Sequence, residues 1–262
     1  MNILFTVCGR AGSTGCPHKN ERDFLGVPLL YYTLAAIYLF KQCYNQDTID
    51  IILSTDSKDL ISISQNQKMI KTMILNRAAN LSSNNVPKIE VIKDALSYCE
   101  REQKKNYQWV IDLDITSPLR TVESIKCAFE KIQKDPDYDI VFSAVESRRS
   151  PFFNMVKMQN KYATLVEDSA FFRARQEIPE TFDMNASIYV YNCASFKKNT
   201  SNRLFDAKCG LIPMMDIGIL DIDSPLDFEL MEHIAIYIYK QYPQYQEIQE
   251  MAYNLSKPIL HN

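Results

Sequence analysis

Apolar and polar residues alternate along the chain in two recurring blocks. "NILFTVC" (2–8) is a continuous apolar run of the kind a strand shows when both its faces are covered. "VPLLYYTLAAIYLFKQC" (27–43) follows with helix length and Pro28 near its start. "TIDIILSTD" (48–56) predicts a second strand ending on an acidic residue, "SKDLISISQN" (57–66) a helix, and "KTMILN" (71–76) a third strand. "NVPKIEVIKDALSYCEREQ" (85–103) reads as a helix, "YQWVIDLDI" (107–115) as a strand, "TVESIKCAFEKIQK" (121–134) as a helix and "YDIVFSAV" (138–145) as a strand. Strands and helices in alternation imply an α/β fold, with a largely parallel sheet, right-handed crossovers and ligands beyond the C-terminal strand ends.

The regularity lapses over 146–183, a stretch rich in Arg, aromatic residues and short β-like pieces, which reads as an insertion. Pattern returns at "NASIYVYN" (185–192) and "IGILDID" (217–223), both read as strands. A helix is expected over 224–242, where Ser224 caps, Pro225 suits the first turn and Asp227 completes a capping box. The expected domains are a core of 1–145 with 184–262, interrupted by the inserted 146–183.

Composition narrows the function classes. The 262 residues are 46% hydrophobic and 23% charged, enough to bury a substantial core. The net charge is −3 with Lys and Arg scattered, so nucleic acid is not an expected partner. No apolar run approaches the roughly eighteen residues of a membrane span, and no cationic leader precedes the first strand, so no membrane partner and a cytoplasmic location are expected. Seven cysteines at irregular spacing, without a C-x-x-C pair, fit free thiols better than disulfides or zinc.

Three of the six glycines fall within "GRAGSTGCPHKN" (9–20). The spacing Gly9-x-x-Gly12-x-x-Gly15 matches neither the P-loop nor the dinucleotide fingerprint. It offers backbone N–H groups, the hydroxyls of Ser13 and Thr14 and the cations Arg10 and Lys19, a donor set suited to a chain of phosphates. Asp221 and Asp223 stand two apart; on a strand they would face one way and meet one Mg2+, and the alternative is a solvated strand end. Asp112 and Asp114 repeat that spacing, with Thr116, Ser117 and Arg120 crowding the turn that follows; Ser117-Pro118 also suits a helix start. Cys8 and Cys16 read as small buried residues, and His18, His233 and His261 as surface or packing residues, with His18 close to the glycine loop.

Together these residues resemble the CMP-nonulosonate synthetases, or acylneuraminate cytidylyltransferases. The glycine loop resembles the family's A-R-x-G-S-K-G-x-x-x-K-N at Arg10, Gly12, Ser13, Gly15, Lys19 and Asn20, and "TSPLR", "MNASIYVYN" and "DIDSPLDFE" are similar to three further motifs in the same order. "DLDITSPLR", "RRSPFFNMV" and "FDMNASIY" look closest to the branch acting on legionaminic or related diamino sugars. The resemblance implies a Rossmann-like nucleotidyltransferase fold with a small dimerisation arm at 146–183, hence a homodimer. It implies transfer of CMP from CTP to the anomeric hydroxyl of a nonulosonic acid, with Mg2+ as cofactor and Asp221 and Asp223 as its ligands. Arg10, Gly12, Ser13, Thr14, Lys19, Asn20 and Arg77 would then bind CTP, and Arg10, Lys19, Asp221 and Asp223 would carry catalysis. The sugar acid would lie against Asp114, Ser117, Arg120, Arg175, Gln176, Asn185 and Tyr189. Asp221 and a metal-bound hydroxide both stand as the base. Three departures go with the resemblance: Thr14 stands where Lys is usual, "RAANLSSNN" lacks an acidic residue after its Leu, and Phe153 replaces a Lys found in some sialate-specific members. The rival functions are a transferase for another sugar and a degenerate nucleotide-binding module without turnover.

Overall fold

The computed structural model describes residues 1–12, 15–83, 85–167, 175–219 and 221–257. The chain opens with β1 (Asn2–Cys8), whose five central residues are all buried. A two-stranded ribbon, β2 (Asp23–Phe24) and β3 (Val27–Pro28), turns through Gly26 at φ 77° and leads into α1 (Leu29–Cys43). Then come β4 (Thr48–Thr55), α2 (Lys58–Asn66), β5 (Met73–Asn76), α3 (Lys88–Gln103), β6 (Trp109–Leu113), α4 (Val122–Lys134) and β7 (Ile140–Glu146). A hairpin of β8 (Val156–Gln159) and β9 (Tyr162–Leu165) occupies the inserted stretch. β10 (Phe182–Asn192), α5 (Cys193–Lys198), β11 (Cys209–Pro213), α6 (Pro225–Gln241) and α7 (Pro243–Ser256) complete the described chain.

The main sheet has seven strands in the order β11-β7-β10-β6-β1-β4-β5. Only β10 runs antiparallel to its neighbours, β6 and β7. Side chains of β1 alternate between two cores: Ile3, Phe5 and Val7 pack on the face that α1 and α4 cover, Leu4 on the face of α3. From β1 the chain builds outward to β4 and β5, then returns to place β6 on the other side of β1. The loops that leave β1 and β6 therefore diverge over one crevice at the C-terminal strand ends, where ligands of such sheets bind.

Two expectations need correction. The described residues of 217–223 form no strand: Asp216–Ile219 is a 3-10 helix, and the edge strand is the earlier β11. β11 takes the edge place beside β7, and the chain after it runs to the crevice, which Asp221 and Asp223 line. The helix expected from 27 starts at Leu29, because Val27 and Pro28 belong to the ribbon. The capping box at Ser224 and Asp227 is present, with both reciprocal hydrogen bonds formed. α4 is capped by Thr121, not by Ser117. Among the described residues no helix is long and apolar enough to cross a membrane.

Candidate active site

The loop after β1 is tied down at both ends. Gly9 N donates to Ser54 O at 3.1 Å, Ala11 N to Asp56 Oδ1 at 2.8 Å, and Asn20 Nδ2 to Arg10 O at 3.3 Å. The 3-10 helix Lys19–Glu21 is held through Glu21, which accepts from Ser57 Oγ and pairs with His18 Nδ1. Gly15 is required by a close approach and not by a left-handed backbone: a Cβ there would lie 2.2 Å from Asp223 O. Lys19 Nζ donates to Ile222 O at 2.6 Å and stands 3.4 Å from Asp223 Oδ1. The phosphate-type loop and the late aspartates thus touch.

At the end of β6 the carboxylates gather around a cation that no motif marks. Asp112 is fully buried, and its Oδ1 accepts from Thr6 Oγ1 at 2.7 Å. Lys88 Nζ, from the first residue of α3, lies 2.8 Å from Asp112 Oδ2 and 2.7 Å from Asp114 Oδ2. Asp114 Oδ1 accepts from Thr116 N at 3.1 Å and Thr116 Oγ1 at 3.0 Å. Burial works to raise the Asp114 carboxyl, but the Lys88 charge and the bonds from Lys88 and Thr116 outweigh it and hold the group at about 2. Burial likewise opposes the Lys88 charge, and Asp112 with Asp114 overcome it, so the ammonium is held well above its ordinary value. Asp221 behaves in the opposite sense: burial first, then the Asp114 charge, raise its carboxyl. Its Oδ1 accepts from Ile222 N at 2.9 Å and lies 3.2 Å from Thr116 Oγ1.

A cleft of about 520 Å³ opens between these groups. Of the residues singled out from sequence, Arg10, Lys19, Asn20, Arg77, Asp114, Asp221 and Asp223 line it. Arg77 is fixed by Ser54, through Nε to Oγ at 3.2 Å and Nη2 to the carbonyl at 2.6 Å. The paired aspartates do not owe their common orientation to a strand. Fully buried Ile222 separates two exposed carboxylates, which preserves the in-and-out alternation in irregular chain. Among the described residues nothing lies within 4 Å of where a Cβ on Gly12 would be. Cys8 lines the cleft, yet burial and the Asp112 charge push its thiol up, the reverse of an activated nucleophile.

Three residues expected against a sugar lie beneath the cleft instead. Arg120 is 1% exposed, donating through Nε to Ser187 Oγ at 3.2 Å and through Nη2 to the Asp114 carbonyl. Ser117 is buried and donates to Ser187 Oγ at 2.8 Å, and Asn185 is buried, its Oδ1 accepting from Ser143 Oγ at 2.6 Å. Their polar groups support the turn after β6 and the bend in β10. Tyr189 lines a smaller pocket of about 190 Å³ that shares Lys88 with the main cleft. Gln176 is exposed in the inserted segment. Ser13, Thr14 and the side chain of Arg175 lie outside the described residues. Lys88 carried one signal in sequence: a cation in the first turn of a helix opposes the helix dipole and needs a reason.

Comparison with known proteins matches the chain to known sequences and folds. A family model described as cytidylyltransferase matches residues 4–252. The post-translational flagellin modification protein B of Campylobacter coli is 34% identical over 235 residues, covering 88% of this chain and 94% of that protein. The CMP-N,N'-diacetyllegionaminic acid synthase of Campylobacter jejuni gives the same identity and coverage. The N-acylneuraminate cytidylyltransferase of Streptococcus agalactiae serotype V is 27% identical over 229 residues, covering 87% of this chain and 52% of that protein. Among solved structures, a CMP:2-keto-3-deoxy-manno-octonic acid synthetase complexed with CTP superposes with a TM-score of 0.63 at 12% identity, covering 90% of this chain and 99% of that one. At that identity the likeness is one of fold.

Proposed function

The chain belongs to the cytidylyltransferase family, and on that premise we propose that it transfers CMP from CTP to the anomeric hydroxyl of a nonulosonic acid of the legionaminic or sialic type, releasing pyrophosphate. The observation that carries the proposal is convergence: the glycine loop, Arg77 and the carboxylates of two distant segments line a single cleft.

The reaction forms one bond, from the anomeric oxygen to the α-phosphorus, breaks one, from that phosphorus to the bridging oxygen of pyrophosphate, and releases one proton. Such a transfer asks mainly for positioning and for positive charge around the phosphates. Arg10 and Lys19 supply cations on the loop side, and Lys19 is aimed by its bond to the Ile222 carbonyl. Arg77, locked on Ser54, lines the cleft on the β4–β5 side, where the base and ribose would rest. Asp114 does not take the proton, because its carboxyl is held at about 2.

Mg2+ belongs to this proposal. Asp221 Oδ1 is occupied by Ile222 N and Thr116, while no described protein donor reaches its Oδ2, and Asp223 has only Lys19 at 3.4 Å. The raised Asp221 carboxyl is that of an acid short of a counter-charge. Among the described residues no group of three or more His, Cys, Asp or Glu is placed to hold a metal. Two carboxylates in an open cleft suit a hard dication that takes its remaining ligands from water and substrate phosphates. Asp221 and Asp223 would hold Mg2+, which when bound neutralises charge on the departing pyrophosphate.

The inserted hairpin presents Val156, Met158 and Tyr162 at 63%, 70% and 65% exposure, an apolar surface that a second copy of the chain would cover; a homodimer is therefore part of the proposal. The test is pyrophosphate release from CTP and Mg2+ with a panel of nonulosonic acids. Release with at least one acid is expected; intact CTP binding without release from any acid would point to a nucleotide-binding module and overturn the proposal.

A further inference from the structure

Lys88 begins α3, whose N-cap, Pro87, supplies no capping side chain. A cation at that end of a helix is unfavourable, and two carboxylates within 2.8 Å offset it. An ammonium has three protons. One is donated to Asp114 Oδ2, and Asp112 Oδ2 pairs with the ammonium at 2.8 Å; among the described residues no further oxygen or nitrogen acceptor reaches it, the Tyr189 ring centroid lies 5.9 Å away, and Lys88 keeps 35% of its side chain exposed where Asp112 has none. The open side faces both the main cleft and the smaller pocket lined by Tyr189, Tyr191 and Leu204.

Asp114 is committed elsewhere. Oδ2 takes Lys88 and Oδ1 takes Thr116 N, with Thr116 Oγ1 3.0 Å away, so the carboxylate orients the ammonium and offers little to a ligand. The charges decide what the ammonium receives. Lys88 and the buried Arg120 face three carboxylates, Asp112, Asp114 and Asp221, and the group is left at −1, which repels a phosphate or a carboxylate and leaves neutral oxygen as the compatible acceptor. The triphosphate has its own cations in Arg10 and Lys19 across the cleft.

We propose that Lys88 is a specificity-determining residue, donating a hydrogen bond to a neutral oxygen of the acceptor acid, a hydroxyl or amide carbonyl remote from its carboxylate, where the cleft meets the smaller pocket. The assignment rests on the function proposed above and adds the group that reads the acceptor.

The experiment compares the full-length wild type, Lys88→Met and the double variant Lys88→Met with Asp114→Asn, which keeps the local charge at −1 should the single variant fail to fold. Initial rates of pyrophosphate release are measured against CTP and against a nonulosonic acid with its singly deoxygenated or deacylated analogues. Loss of one charge-assisted hydrogen bond predicts a KM for the acid raised about tenfold or more, with the KM for CTP within about twofold. One analogue is expected to carry a similar penalty in the wild type and none in the variants. Parallel rises in both KM values, or an analogue penalty that survives removal of Lys88, would overturn the assignment alone. A wild type that releases no pyrophosphate with any acid would overturn the proposed function and this assignment together.

Discussion

Replacing Gly15 by Ala adds one methyl group where the glycine loop meets the carboxylate segment. The new Cβ would lie 2.2 Å from Asp223 O, whereas real Cβ contacts stay beyond 3.0 Å, so backbone must move by about 0.8 Å. The obstacle is a carbonyl and not the end of a flexible side chain, so no rotamer change relieves it. Either the loop retreats with its phosphate donors or the Ile222–Asp223 segment retreats with its carboxylates, and the Lys19 bond to Ile222 O at 2.6 Å stretches in both cases. Displacement of catalytic groups by nearly 1 Å costs on the order of 10²-fold in rate, about 2.7 kcal/mol in transition-state stabilisation. Gly12→Ala is the matched control, because among the described residues nothing lies within 4 Å of its would-be Cβ. Pyrophosphate release under saturating CTP, with thermal unfolding in parallel, separates lost geometry from lost fold. A Gly15→Ala enzyme within about twofold of wild type would refute the reasoning, as would equal losses at both glycines.

Asp223→Ala is expected to abolish Mg2+-dependent turnover while leaving the melting temperature close to that of the wild type, since the side chain is 78% exposed and, among the described residues, only Lys19 pairs with it; unchanged release across an Mg2+ titration would remove the metal role. Asp114→Asn is expected to destabilise the protein near pH 7 by on the order of 2 kcal/mol. The Asp114 carboxyl sits at about 2, below its ordinary 3.8, so its contribution is present above that ordinary value and fades as pH falls toward 2. The gap between the urea midpoints of the two proteins should narrow as pH falls from about 4 toward 2, and a gap independent of pH would contradict the assignment. Met158→Asp on the exposed hairpin is expected to shift light-scattering mass from dimer to monomer, and a wild type that is itself monomeric at micromolar concentration would remove the dimer from the proposal.

Most of the cleft was legible because an α/β sheet gathers its strand ends, and short polar stretches after apolar runs mark those ends. Arg10, Lys19, Asn20 and Arg77 follow predicted strands, Asp114 stands at the end of one, and all line the cleft. Asp221 and Asp223 reach it for a different reason from the one their spacing suggested, since no strand carries them. Three kinds of information were missing. "CGLIP" is five residues containing Gly and Pro, too short and too interrupted to announce β11; its Gly210 leaves room for the Tyr138 ring, a contact made only in the folded sheet. Arg120 follows a turn whose polar sequence reads as surface, and its burial depends on β10 returning beside β6 with Ser187. Lys88 sits 26 residues before the carboxylate it bonds, and its one signal in "VPKIEV", a cation in the first turn of a helix, does not say which carboxylates answer it.

Thr116 shows how the two halves of the cleft depend on each other. Its hydroxyl has one proton, and two carboxylate oxygens stand within reach, Asp114 Oδ1 at 3.0 Å and Asp221 Oδ1 at 3.2 Å. Asp114 does not need that proton, because Lys88 and Thr116 N already satisfy it; Asp221, short of positive charge, gains more from it. A dication held by Asp221 and Asp223 would remove that need and leave the hydroxyl to Asp114. The acceptor side, built on Lys88 and Asp114, is thereby connected to the proposed metal side by a single rotatable bond. The connection is short because β6 delivers Asp112, Asp114 and Thr116 within five residues, while the irregular chain after β11 brings Asp221 across the sheet to meet them.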